Sequence, residues 1–140
     1  MRFWDSSAVL PLLVQEEASA RMLGRLAEDP RMVVWWGTRV ECVSALARLE
    51  RDGALGAADL TAALADLRDL QASWYEIEPG DILRENAERL LRVHPLRAAD
   101  ALQLAAAVLA AQYRPSALPF ASLDARLAAV AGREGFPVLG

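Results

Sequence analysis

Residues 96–107 read LRAADALQLAAA. Their spacing predicts a helix over about residues 97–111, with Asp100 in its first turn. Beyond Gln103 this helix is apolar on every side, which is typical of a helix buried at the centre of a domain. Other elements must therefore cover it.

The rest of the chain supplies those elements as an alternation of short apolar runs with helical patterns. The apolar runs predict strands at residues 2–4, 32–35, 74–77, 117–121 and 136–139. The helical patterns lie at about residues 8–14, 16–28, 38–51, 57–70, 81–91, 97–111 and 124–131. This alternation favours a mostly parallel sheet covered by helices on both faces. We find no repeat and no linker, so we expect one α/β domain over residues 1–140, a three-layer α/β/α sandwich.

Composition agrees with a folded domain and narrows its chemistry. Of 140 residues, 54 % are hydrophobic, and the formal net charge is −4. All 15 basic residues are Arg, because the sequence contains no Lys. A P-loop requires a Lys on the phosphates. Receiver domains and aspartate-nucleophile phosphatases also use a Lys beside their carboxylates, so the absence of Lys argues against all three classes.

The compartment is predicted from what the sequence lacks. Cys42 is the single cysteine, which leaves no internal disulfide and no cysteine zinc cluster. The first residues contain no signal peptide, because Asp5 interrupts a short apolar run. The longest apolar stretch, residues 104–111, is far below the roughly 20 residues that cross a bilayer. We expect a cytoplasmic protein with no membrane association.

Two acidic residues follow predicted strands. Asp5 comes directly after the first strand, and Asp124 comes shortly after the strand that ends near Ala121. In parallel sheets, sites form in the crevice beyond the carboxyl ends of the strands. Each Asp could equally be the N-cap of the helix that follows it.

Two further acidic residues lie on helices. Glu41 follows Thr38 at the spacing of a capping box, so a structural role competes with a functional one. Asp100 enters a buried helix, where an ionised carboxylate is costly unless it is paired or bound to a metal. Arg97, three residues earlier, is the alternative partner of Asp100.

The four carboxylates together suggest a chemistry that none indicates alone. Mg²⁺ and Mn²⁺ bind carboxylate oxygens and water. Such an ion activates water and stabilises the charged transition state of phosphodiester hydrolysis. The only histidine, His94, precedes a proline and is interpreted as a polar loop residue.

Four segments resemble, in order, those of the PIN-domain family, and within it the VapC-type toxins. Residues 3–9 read FWDSSAV, residues 38–46 read TRVECVSAL, residues 94–105 read HPLRAADALQLA, and residues 120–127 read FASLDARL, followed by GFPV at residues 135–138. The segments are spread from residue 3 to residue 138, and the third is the most specific.

The resemblance implies an α/β/α domain that binds Mg²⁺ or Mn²⁺ and cuts RNA as the toxin of a bacterial toxin–antitoxin pair. It assigns the acidic pocket to Asp5, Glu41, Asp100 and Asp124, with Asp5 and Asp100 foremost as direct ligands. Ser6 and Ser122 would orient carboxylates or water by hydrogen bonding. Attack of water on phosphorus would leave a 3′ hydroxyl and a 5′ phosphate. The resemblance also implies a homodimer and a partner antitoxin.

Alternatives stay open at this point. The chain could be a catalytically silent module that binds a protein partner or RNA, although the presence of all four carboxylates argues against it. Nuclease activity on DNA is also open. The net charge is unlike that of most nucleic-acid binders; Arg39 and Arg97 could meet phosphates, or form ordinary ion pairs. Trp35, Trp36 and Trp74 could stack on bases, although packing in a core or a dimer interface is the favoured interpretation.

Overall fold

The computed structural model describes residues 1–140. Five strands are present: β1 (Arg2–Trp4), β2 (Met32–Trp35), β3 (Tyr75–Ile77), β4 (Phe120–Ala121) and β5 (Val138–Leu139). Seven α-helices connect them: α1 (Ser6–Leu13), α2 (Ser19–Glu28), α3 (Thr38–Arg51), α4 (Ala57–Ser73), α5 (Asp81–Val93), α6 (Ala98–Ala110) and α7 (Ala125–Arg133). The predicted α/β class is confirmed.

The strands form one sheet in the order β3-β2-β1-β4-β5, and all four pairings are parallel. The first strand is therefore the central one. The chain extends the sheet from β1 through β2 to β3, then crosses to the other side of β1 to add β4 and β5. This reversal makes the carboxyl ends of β1 and β4 the topological switch point, which is where open parallel sheets bind ligands.

The helices cover the two faces of the sheet, as the alternation predicted. One cluster of buried residues joins the sheet to α5, α6 and α7, and the second joins it to α1 through α4. Adjacent residues of β1 separate the two clusters: Phe3 belongs to the first and Trp4 to the second. Because successive side chains of a strand point to opposite faces, this assignment establishes the three layers.

The predicted central helix, α6, is buried against the sheet. Seven of its 13 residues are buried, from Ala101 and Gln103 to Val108. Its small alanine side chains bring the helix backbone close to the sheet, while Leu104 is fully buried. The opposite side of β1 is packed by larger residues, including Trp4 and Met22. The core thus matches its alanine-rich and leucine-rich composition.

Several element boundaries differ from the predictions. Helix α2 begins at Ser19 rather than near residue 16, because the Ser19 hydroxyl accepts a hydrogen bond from the N–H of Glu16 and donates one to the carbonyl of Val14. These bonds stabilise a turn. Strand β4 is only two residues long, and a short 3₁₀ turn, Pro115–Ala117, precedes it. No helix of the structure combines the length and apolar character that crossing a bilayer requires.

Candidate functional site

The switch point of the sheet carries Asp5 on one side and Ser122 on the other. Asp5 follows β1 directly, and its N–H donates to the carbonyl of Ala121 in β4 at 3.0 Å. Ser122 is the residue after β4, and its hydroxyl donates to Asp5 Oδ2 at 3.0 Å. Pairing of the two strands therefore brings together residues that are 117 positions apart in the sequence.

Asp5 is a buried carboxylate, with only 4 % of its surface exposed. It is the N-cap of α1 and accepts a long hydrogen bond, 3.4 Å, from the N–H of Ser7. The Ser7 hydroxyl also donates to Asp5 Oδ2. Burial raises the pKa of Asp5, and the nearby charge of Glu41 raises it further, against the hydrogen bonds from Ser7 and Ser122. Asp5 therefore caps α1, and this structural role does not prevent its carboxylate from also binding a ligand.

Glu41 lies next to Asp5 across a single hydroxyl group. Ser6 Oγ donates to Glu41 Oε2 at 2.7 Å and is 3.5 Å from Asp5 Oδ1. The amide nitrogen of Gln103 also donates to Glu41 Oε2, at 2.9 Å, and to the hydroxyl of Thr38 at 3.0 Å. Ser6 and Gln103 thus fix the orientation of the Glu41 carboxylate.

The capping box expected at residues 38–41 is wrong. Helix α3 already includes Thr38, and the residue at its N-cap is Gly37, which makes no side-chain capping bond. The Thr38 hydroxyl is buried and bonded to Gln103. Both side chains of the supposed box bond to Gln103 of α6, so Glu41 does not cap α3.

Asp100 and Asp124 line a cleft of about 480 Å³ beside these two carboxylates. Asp124 caps α7 through a 3.0 Å hydrogen bond from the N–H of Leu127. Burial raises the pKa of Asp100, and the charges of Asp124 and Asp5 add to that rise. Arg97 acts on the pKa of Asp100 in the opposite direction, yet the two side chains form no ion pair.

The structure brings the predicted site residues together as two neighbouring pairs. Asp5 and Glu41 form one pair, bridged by Ser6, and Asp100 and Asp124 form the other across the cleft. The two pairs are coupled, since the charge of Asp5 raises the pKa of Asp100. No three acidic, histidine or cysteine side chains lie close enough together to hold one ion between them.

The chemical type of the donors, though not their present spacing, suits a hard cation. Four carboxylates supply oxygen ligands, which Mg²⁺ and Mn²⁺ prefer. The side-chain oxygen of Gln103, Oε1, is buried and accepts no hydrogen bond from the protein. A buried acceptor of this kind is normally satisfied by ordered water or an ion.

Sequence reasoning missed Ser7 and Gln103. Ser7 Oγ accepts hydrogen bonds from the N–H groups of Leu123 and Asp124, at 2.9 and 3.2 Å, while donating to Asp5. It thereby ties the start of α1 to the loop after β4. Gln103 carried a usable signal, because it lies three residues after Asp100 on the same helix face and is the one polar residue in an apolar run. Ser7 carried none, because its partners lie far away in the sequence.

The sequence matches no protein-family model and no curated protein. The fold is similar to the crystal structure of PAE2754 from Pyrobaculum aerophilum, with a TM-score of 0.65. The two sequences are 22 % identical, over 92 % of this chain and 83 % of that chain. At this identity the similarity supports the fold alone.

Proposed function

We propose that the chain is a Mg²⁺- or Mn²⁺-dependent endoribonuclease. The observation that carries the proposal is the buried carboxylate of Asp5 at the switch point of the sheet, where the charge of Glu41 raises its pKa and its own charge raises the pKa of Asp100. A fold that collects negative charge where burial already disfavours it gains stability when a cation binds. The four residues are those that the PIN-domain resemblance assigns to the acidic pocket.

Asp5 and Asp100 would be the direct ligands of the ion, with Glu41 and Asp124 completing the acidic pocket. No three of these side chains are close enough to share an ion as they stand, so binding would have to draw them together. When bound, Mg²⁺ or Mn²⁺ lowers the pKa of water and stabilises negative charge on the phosphoryl oxygens. The protein's own contribution is to fix the carboxylates before substrate arrives. The Ser122 hydroxyl orients Asp5 by a hydrogen bond, and the Ser6 hydroxyl orients Glu41 in the same way.

The reaction is hydrolysis of a phosphodiester bond. The water oxygen forms a bond to phosphorus, and the bond from phosphorus to the 3′ oxygen breaks. The leaving oxygen takes a proton, so the products are a 3′ hydroxyl and a 5′ phosphate. We extend the proposal, on the VapC-type resemblance, to the toxin half of a toxin–antitoxin pair that acts as a homodimer.

The test is cleavage of a mixed RNA pool by the purified protein in Mg²⁺, in Mn²⁺ and in EDTA. We expect cutting in either metal, none in EDTA, and none by Asp100→Asn. Asp69→Asn, an exposed residue of α4, is the matched control and should cut like the wild type. It also controls for contaminating nuclease, since both variants are purified in the same way.

Absence of cutting by folded wild-type protein, together with absence of metal binding by calorimetry, contradicts the proposal. The catalytically silent partner-binding module would then be the better account. Cutting that Asp100→Asn retains would remove Asp100 from the site. A parallel DNA pool distinguishes a ribonuclease from a general phosphodiesterase.

A further inference from the structure

The cleft that holds Asp100 and Asp124 is also lined by two arginines, Arg97 and Arg126. Arg97 precedes α6 directly, and Arg126 lies in the first turn of α7. Both side chains are exposed. The two guanidinium groups thus belong to the two helices whose N-terminal ends line the cleft.

Neither arginine side chain forms an ion pair or a hydrogen bond within the protein. The ion pairs of the protein involve other arginines, such as Arg2, Arg31 and Arg89. Arg97 lowers the pKa of Asp100 through its charge and through a backbone hydrogen bond, but its guanidinium forms no ion pair with Asp100. A guanidinium with five N–H donors and no acceptor in the protein is free to bind a phosphate.

The backbone at the start of α6 also favours binding of an anion. Arg97 occupies the N-cap position of α6 and makes no side-chain capping bond, so the first N–H groups of this helix have no acceptor from a cap. Free N–H groups at a helix N-terminus attract anions. Ala99, in that first turn, lines the cleft with the two arginines.

A polyanionic substrate needs such groups here. The protein carries a net charge of −4, and four of its carboxylates surround the site. A ribonuclease with this charge must offset the repulsion of phosphates close to the scissile bond. Resting on the proposed function, we propose that Arg97 and Arg126 are positioning residues that bind the phosphates flanking the scissile bond of single-stranded RNA.

This arrangement determines what the site accepts. A phosphate on each side of the cut exists only within a chain, so internal bonds are favoured over terminal nucleotides and simple phosphodiesters. The contacts are to phosphate and carry no information on base sequence. Substitution of either arginine should therefore weaken binding to different RNA sequences by the same factor.

The experiment measures RNA binding in EDTA, where cleavage is stopped, by fluorescence anisotropy with labelled single strands of about 12 nucleotides. The Kd is determined over about 50–200 mM salt. We expect Arg97→Gln and Arg126→Gln each to reduce the slope of log K against log salt by about 0.7, which is about fivefold weaker binding at 0.1 M salt.

Two further variants separate charge from structure. Arg126→Lys keeps the charge and should keep the slope. Arg133→Gln removes an exposed arginine from the opposite end of α7 and should bind RNA like the wild type. In Mg²⁺, the Arg→Gln variants should raise KM several-fold and change kcat little, because a flanking contact is made equally in the ground state and the transition state.

Each outcome discriminates. Wild-type cleavage with Arg→Gln variants that bind and cut like Arg133→Gln overturns the arginine assignment and leaves the nuclease proposal intact. Wild-type protein that neither binds nor cuts RNA overturns both. A slope reduced by Arg126→Gln and retained by Arg126→Lys supports the assignment through binding alone, even before any turnover is measured.

Discussion

Asp5→Asn keeps the size of a buried side chain while removing its charge. The wild-type carboxyl has a pKa raised chiefly by burial, so the folded protein binds its proton more tightly than the unfolded chain does. Stability from this group is complete below the ordinary value of 3.8 and is lost as the pH rises through the folded pKa. Above the folded pKa, the ionised carboxylate therefore destabilises the metal-free protein.

The size of the effect follows from the neighbours of Asp5. Only the Ser6 hydroxyl separates its carboxylate from that of Glu41, and unit charges about 6 Å apart repel by about 3 kcal/mol at an effective dielectric of about 20. Asn weakens the hydrogen bonds from Ser7 and Ser122 by about 1 kcal/mol each. Relief of the desolvation that chiefly raises the Asp5 pKa adds to this balance. The gain is therefore at least about 1 kcal/mol, which raises the Tm by at least roughly 3–5 °C for a chain of this length.

Metal should reverse the order of the two proteins. An ion at ten times its Kd stabilises the wild type by about 1.4 kcal/mol and the Asn variant by much less. Thermal unfolding is followed by circular dichroism at pH 8, in EDTA and in Mg²⁺, with Asp69→Asn as control. We expect the variant to be the more stable protein in EDTA and to lose that advantage in Mg²⁺. A variant that is less stable in EDTA, with the same metal response as the wild type, would refute the reasoning.

Three other perturbations have defined outcomes. Leu104→Ala empties a fully buried position of α6 and should cost about 2–5 kcal/mol in urea denaturation; a loss below about 1 kcal/mol would contradict the central position of this helix. Glu134→Gln removes the charge from a partly exposed ion pair with Arg89 and from the 2.8 Å contact with His94. Partial burial raises the pKa of Glu134, but the hydrogen bonds from His94 and Arg89 lower it by more. The substitution should therefore reduce the free energy of unfolding by up to about 1 kcal/mol at pH 7, and not at all at a pH where Glu134 is protonated in both the folded and the unfolded protein. An equal loss at pH 7 and pH 3 would be the contrary result. Gln103→Leu removes a donor to Glu41 and should reduce RNA cleavage at least about tenfold in a protein that still folds; unchanged cleavage would exclude a positioning role.

The sequence predicted the elements best where local periodicity determines them. Strand β2 and helix α3 begin and end where the apolar pattern places them. Errors occurred where backbone groups find partners outside that pattern. Strand β4 is shorter than expected because the segment before it turns at Pro115 and contains Pro119, whose nitrogen has no hydrogen to donate.

The positions of the four carboxylates could be predicted from strand ends and from the resemblance, but their surroundings could not. Thr38 was interpreted as a helix cap because the nearest partner in sequence is Glu41. Its hydroxyl instead meets Gln103, 65 residues away. Hydrogen bonds over such separations depend on the topology of the sheet, which a single sequence does not encode in its local pattern.

The bond network around Ser7 has a consequence for biosynthesis. Ser7 and Ser122 are 115 residues apart, and at typical rates a ribosome needs on the order of 6–20 s to add that length. During this interval β1 has no β4 beside it, so one edge of the future central strand is unpaired and open to association with other chains. Asp5 also lacks one of its hydroxyl donors. The hydrogen bond from Ser122 to Asp5 therefore cannot form until β4 has been synthesised. Until then the nascent chain exists with an incomplete sheet.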